Sequence, residues 1–119
     1  MEDVKKAFLA IPKYLHFAKD HIAQHALKNG YAPLTPYGIP FWMLDTVERD
    51  RIREANTEYL ETADEVWIFG SGEELGEHSV NGLNVTDGVH EEKQLAEELE
   101  KKIRYFHVDL DTQQITEQE

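Results

Sequence analysis

Four short runs of apolar or β-forming residues alternate along this chain with three segments of helical period, and that alternation leaves few folds open. Lys6 to Ile11 is almost continuously apolar and ends at Pro12, the pattern of a strand buried on both faces. From Tyr14 to Lys28 the period changes. Leu15, Ala18, Ile22 and Ala26 share one helical face, and Asn29-Gly30 supplies a left-handed stop. Tyr31-Ala-Pro-Leu-Thr35 predicts a second strand, which Pro33 either places at an edge or keeps brief. Phe41 to Thr62 carries Val47, Ile52, Ala55 and Tyr59 on one stripe, a long helix with Asp45 as the point for a break. Glu65-Val-Trp-Ile-Phe69 is the clearest strand, closed by Gly70-Ser71-Gly72. Ser71 to Gly88 is glycine-rich and aperiodic, and is expected as a loop long enough to suggest function or mobility. Val89 to Lys101 predicts an acidic helix with Leu95, Ala96 and Leu99 inward, and Ile103 to Val108 a last strand.

Right-handed crossovers between parallel strands then give one α/β domain over residues 1–110. Its expected core is a small open parallel sheet of order 2-1-3-4 with helices on both faces, flavodoxin/Rossmann-like. The chain of 119 residues has room for one such core and no second. The acidic tail, 111–119, offers little apolar surface to offset ordering entropy and is expected to fray. Ligands of such sheets bind beyond the carboxyl ends of the strands where the order reverses. Here that crevice lies between strands one and three. Ile11 to Tyr14, the loop after Phe69 and the helix opening near Gly88 converge on it.

Charge narrows the partners. Asp plus Glu outnumber Lys plus Arg 24 to 12, a net charge of −12 that repels polyanions and anionic membranes, so neither nucleic acid nor membrane is an expected partner. There is no cysteine, hence no disulfide, thiolate metal site or thiol nucleophile, which suits a reducing compartment. No apolar run approaches the roughly 20 residues that span a bilayer, and Met1 to Lys6 alternates acids with lysines, unlike an export signal. A cytoplasmic location is the resulting expectation.

The stretch that carries candidate chemistry is Thr86-Asp-Gly-Val-His-Glu-Glu-Lys-Gln-Leu-Ala96. A hydroxyl and a carboxylate precede a glycine, and Glu92 is expected in the first turn of the helix. Backbone N–H groups and the helix dipole there favour the ionised carboxylate that a nucleophile needs. The same residues also fit a plainer role. Thr86 or Asp87 can serve only as a cap, and Glu91 and Glu92 only as first-turn acids.

In the order and spacing of these segments, from about Lys6 to Phe106, the chain resembles the nucleoside 2-deoxyribosyltransferase superfamily, nearest to its uncharacterised microbial and phage members. The likeness is carried by Phe8-Leu-Ala-Ile-Pro12, by Glu61-Thr-Ala-Asp-Glu-Val-Trp-Ile-Phe69, by Gly88 with Glu92 and Ala96 at successive spacings of four, and by Ile103-Arg-Tyr-Phe106. The resemblance implies cleavage or transfer at the N-glycosidic bond of a nucleoside or nucleotide, with Glu92 attacking the anomeric carbon as in retaining glycosidases. It implies that Thr86 and Asp87-Gly88 hold the 5′ end of the sugar, that no cofactor or metal is needed, and that the protein is a homodimer or larger assembly. The chain departs from the family pattern at three points. Asn56 stands where active members carry an aspartate that handles the base proton, and an amide is no general acid. Ile11, before Pro12, replaces a glycine that lets the base approach. The glycine- and serine-rich phosphate loop is replaced by Lys13-Tyr14. A substitute acid would be Asp87 or His90. The other reading is a non-catalytic module that binds or senses a nucleotide-like ligand, and a third is a structural protein in which Glu92 only stabilises its helix.

Several further residues draw the eye. Phe41 and Trp42 are candidates to stack on a base, or equally for the core or an interface. His21 and His25, one helical turn apart, lack a third metal ligand and flank an apolar face instead. Trp67 is expected in the core. Gly70-Ser71-Gly72 is followed by no phosphate-binding lysine, and Ser71 and Ser79 show no sign of a hydrolase triad.

Overall fold

The structure, a computed structural model, describes residues 4–35 and 49–118. Its elements are β1 (Lys5–Ala10), a 3-10 helix (Lys13–Ala18) running into α1 (Lys19–Lys28), β2 (Tyr31–Leu34) and α2 (Arg49–Thr62). Then come β3 (Glu65–Gly70), β4 (His78–Val80), β5 (Leu83–Val85), α3 (Asp87–Glu98), β6 (Lys102–Val108) and β7 (Ile115–Gln118). The break expected near Asp45 lies outside the described residues.

β3 is the centre of the sheet because each of its residues is buried, Glu65 included. It pairs in parallel with β1 (Phe8 opposite Val66) and with β6 (Trp67 opposite Arg104). β2 pairs in parallel with the outer side of β1 and forms an edge, where Pro33 withholds no ladder donor that the sheet needs. Its alternating side chains create two cores. Leu9, Trp67, Phe69, Phe106 and Val108 pack against Leu15, Ala18, Ile22 and Ala26 of the 3-10 helix and α1. Phe8, Val66 and Ile68 pack on the other face against Leu60 of α2, Ala63 just after it, Val89 and Ala96 of α3, and Val80 and Val85 of the hairpin. Asp64 ties the α2–β3 joint to β1 twice: its N–H donates to Lys6 O at 2.8 Å, and its carboxylate accepts from Lys6 N–H at 2.7 Å.

The chain is thus α/β, with a mixed five-stranded sheet of order β2-β1-β3-β6-β7 and a separate two-stranded sheet. This corrects the all-parallel, four-stranded order 2-1-3-4. The difference is β7, antiparallel on β6, built from residues expected to fray. Two local forces order them. The Asp109 carboxylate accepts the N–H groups of Asp111 and Thr112 at 2.9 and 2.8 Å, fixing the reversal. Ile115 then packs against the first core.

Two further expectations are corrected. Ser71 to Gly88 contains the β4–β5 hairpin, turned by Asn81 and Gly82 at φ 53° and 81°, the left-handed pair of a two-residue turn. Leu99 is 38% exposed rather than inward, because α3 ends at Glu98 and Glu100 turns left-handed at φ 56°.

Candidate functional site

The hairpin lies close over the carboxyl end of β3, an approach that only glycine allows at two positions. A Cβ at Gly70 would come within 2.8 Å of Asn84 O, and one at Gly76 within 2.3 Å of Val85 O. Tyr14, just past β1, locks this arrangement: its hydroxyl accepts the Ser71 N–H at 2.9 Å and donates to Asn84 O. Ser71 is buried, so Tyr14→Phe leaves its N–H without a partner. That substitution should lower stability by about 1–3 kcal/mol, read from urea midpoints. An unchanged midpoint would mean that Tyr14 does not hold the hairpin.

Between the hairpin, α2 and the start of α3 lies a cavity of about 350 Å³. Asn56, Thr57 and Leu60 of α2 line it, with Lys13, Glu77, Thr86, and Asp87, Gly88, Val89, Glu91, Glu92 and Leu95 of α3. Five sequence candidates, Asn56, Thr86, Asp87, Gly88 and Glu92, therefore share one wall, although α2 and α3 are separated in sequence by β3 and the hairpin. A Cβ at Gly88 would meet nothing within 4 Å, so the glycine leaves room there.

Glu92 differs from the expectation in position and in charge. With α3 beginning at Asp87, it stands in the second turn, where the helix terminus acts weakly. The residue is partly buried and still reaches the surface. Burial, and then the charge of Glu91, push its pKa up to about 8. It makes no hydrogen bond among the described residues. At neutral pH it is therefore held protonated, not ionised as the helix N-terminus alone would dictate.

The two possible caps do not act as caps by side chain. Thr86 occupies the N-cap with no side-chain hydrogen bond, and the Asp87 carboxylate instead meets His78 Nε2 of β4 at 2.5 Å. His78 stacks on His90, ring centroids 4.1 Å apart and planes within 6°. His90 thus braces the hairpin against α3 and is not on the cavity wall. Nor are Ile11 and Pro12, both buried; Ile11 belongs to the first core with Leu15, because the chain turns inward after β1 and presents Lys13 to the cavity. Phe41 and Trp42 lie outside the described residues.

Residues that the sequence reading did not assign to the site are Lys13, Thr57, Glu77, Glu91 and the bracing His78. His25 packs edge-on against Trp67 and Phe106, and burial lowers its pKa, as befits an apolar flank. Among the described residues no group of three or more His, Cys, Asp or Glu could hold a metal ion, and no helix is long and apolar enough to cross a membrane. Compared with known proteins, the chain matches no family model and no curated protein.

Proposed function

We propose that the cavity binds a nucleoside or nucleotide and that Glu92 cleaves or transfers its N-glycosidic bond, on a Rossmann-like domain of the nucleoside 2-deoxyribosyltransferase kind that works as a homodimer or larger assembly. The observation that carries this reading is the shared wall. The carboxyl of Glu92 has a cavity of suitable size in front of it, with Thr86, Asp87 and Gly88 beside it to hold the sugar. A partly buried carboxylate, once ionised, is less well solvated than a free one and so is the better nucleophile toward an anomeric carbon. The glycosyl ester that forms is then opened by water or by a second base.

Base release from a panel of nucleosides and monophosphates, followed by chromatography, tests the reading. Glu92→Gln should abolish release. Gly88→Leu should block it by filling the cavity, with the fold intact because nothing stands within 4 Å of that Cβ. Release that survives both substitutions sinks the proposal. The binding-module reading has one observation of its own, the amide of Asn56 on the wall where an acid would assist departure of the base. It predicts ligand-induced stabilisation without turnover.

A further inference from the structure

The dipeptide Asn-Gly occurs twice, as Asn29-Gly30 after α1 and as Asn81-Gly82 at the tip of the hairpin. An asparagine amide before glycine is open to attack by the backbone, because the nitrogen that follows it has no neighbouring side chain to crowd it. Exposure and space do not separate the two copies. All four residues are exposed, and a Cβ at Gly30 or at Gly82 would meet nothing within 4 Å. Hydrogen bonding does separate them. At the end of α1 both reacting groups are engaged: the Gly30 N–H donates to Leu27 O at 3.0 Å, and the Asn29 amide donates to His25 O at 2.7 Å. At the hairpin tip neither the Asn81 amide nor the Gly82 N–H has a hydrogen-bond partner among the described residues. The chain's other asparagines, Asn56 and Asn84, precede Thr57 and Val85, whose branched side chains crowd the attacking nitrogen.

From this contrast we infer that Asn81 is a site of spontaneous deamidation, and that its isoaspartyl product releases the hairpin from the cavity wall. The Gly82 nitrogen bonds to Asn81 Cγ and gives its proton to solvent, while the side-chain nitrogen takes up a proton and leaves as ammonia. Water then opens the cyclic imide. Breaking the new Cγ–N bond leaves aspartate. Breaking the original C–N bond leaves isoaspartate, in which the main chain runs through Cβ and Cγ. Water is the only co-reactant, and nothing is oxidised or reduced. The isoaspartyl link adds a carbon to the main chain inside a two-residue turn that pairs Val80 with Leu83 and His78 with Val85. Val80, Leu83 and Val85 are buried, so the lengthened turn cannot keep the register without disturbing the core. Glu77 at the foot of the hairpin lines the cavity, and His78 holds Asp87 there. The wall therefore loosens with the hairpin, whatever the cavity binds.

The test keeps the folded protein at physiological temperature in mildly alkaline buffer for several weeks, beside a sample unfolded in urea. Peptide mass spectrometry locates the modified residues, and enzymatic methylation counts the isoaspartate. Asn81 should convert at least about tenfold faster than Asn29 in the folded protein, because Asn29 reacts only from locally opened forms. In urea the two rates should converge. Amides of residues 78–85 should exchange faster in the isoaspartyl fraction than in fresh protein, with those of β3 unchanged. Asn81→Gly removes the reacting amide and keeps a turn sequence that accepts left-handed torsions, so the same incubation should leave its hairpin unaltered. Equal rates at Asn29 and Asn81 in the folded protein, or conversion in urea alone, would overturn the site. Conversion at Asn81 with unchanged exchange in the hairpin would uphold the site and overturn the release.

Discussion

Replacing Glu92 by Gln should make the folded protein more stable at neutral pH even as it removes base release. The folded pKa of about 8 lies well above the ordinary 4.5, with burial as the larger cause and the charge of Glu91 as the second. The folded state therefore keeps a proton that the unfolded chain gives up above pH 4.5, and stability falls as pH rises from there to about 8. At about 1.36 kcal/mol per pH unit, the loss at pH 7 has an upper bound of a little over 3 kcal/mol, which solvent screening at this partly exposed residue lowers to about 2–3 kcal/mol. Gln resembles the protonated acid in shape and carries no such penalty in the unfolded comparison. The variant should match the wild type near pH 4 and exceed it by about 2–3 kcal/mol at pH 7, or roughly 6–12 °C in melting temperature. Urea midpoints measured from pH 4 to 8.5 give the difference directly. A gap that does not grow with pH would mean that the carboxyl titrates normally. In the wild type, base release should rise with pH through about 8, since the nucleophile is the ionised form.

The same residue marks where sequence reasoning reached its limit. Gly88 and Glu92 could be placed on one helix by spacing, and Asn56 by its distance from the Ala63-Asp64 joint, so most of the wall was legible. The protonation of Glu92 was not. A helix terminus acts through a few nearby N–H groups, and its pull fades beyond the first turn. Burial is set by tertiary packing, which spacing along one helix does not show. Ile11 and Pro12 were misplaced for a related reason. Apolar side chains after a buried strand sit in the core as readily as beside a ligand, and only the direction of the 3-10 helix, set by Leu15 and Ala18, decides between them.

The hairpin was readable in principle. Asn81-Gly82 is a strong short-range turn signal, and a two-residue turn there sets Val80 against Leu83 and His78 against Val85. His78 then stands next to Thr86 and Asp87, which identifies the imidazole that holds Asp87. The surrounding glycines and acids obscured this signal by making the whole segment look aperiodic. β7 was harder to see. Ile115 and Glu117, two residues apart, share one face, so its four residues show no apolar–polar alternation, and part of what orders it belongs to β6.

That β6 contribution is Arg104, which acts beside the Asp109 turn and the packing of Ile115, and Arg104→Met should cost about 2–3 kcal/mol and unpair β7 before anything else. The guanidinium makes a two-pronged contact with Glu117, Nε and Nη2 each 2.7 Å from a carboxylate oxygen, and its Nη1 lies 3.3 Å from Glu65. It lies over the rings of Trp67 and Tyr31 at 4.7 and 5.9 Å from their centroids, so it also packs on the first core. Burial alone would raise the pKa of Glu65. The hydrogen bonds from Trp67, Tyr31 and Arg104 together outweigh it, and the carboxyl ends below its ordinary value. For Glu117 the bond to Arg104 is the leading cause of the same downward direction. Both carboxylates therefore add stability that is present above pH 4.5 and lost as pH falls through their lowered values. Met keeps the stem and removes the charge, leaving Glu65 with two donors in place of three and Glu117 with no cation. The exposed arm counts for less, so Glu117→Gln should cost only about 1 kcal/mol. In Arg104→Met the amides of residues 115–118 should exchange faster by a larger factor than those of β3, and the stability gap to wild type should shrink below pH 4. Uniform loss of protection across the sheet would show that Arg104 supports the core as a whole and does not specifically recruit the tail.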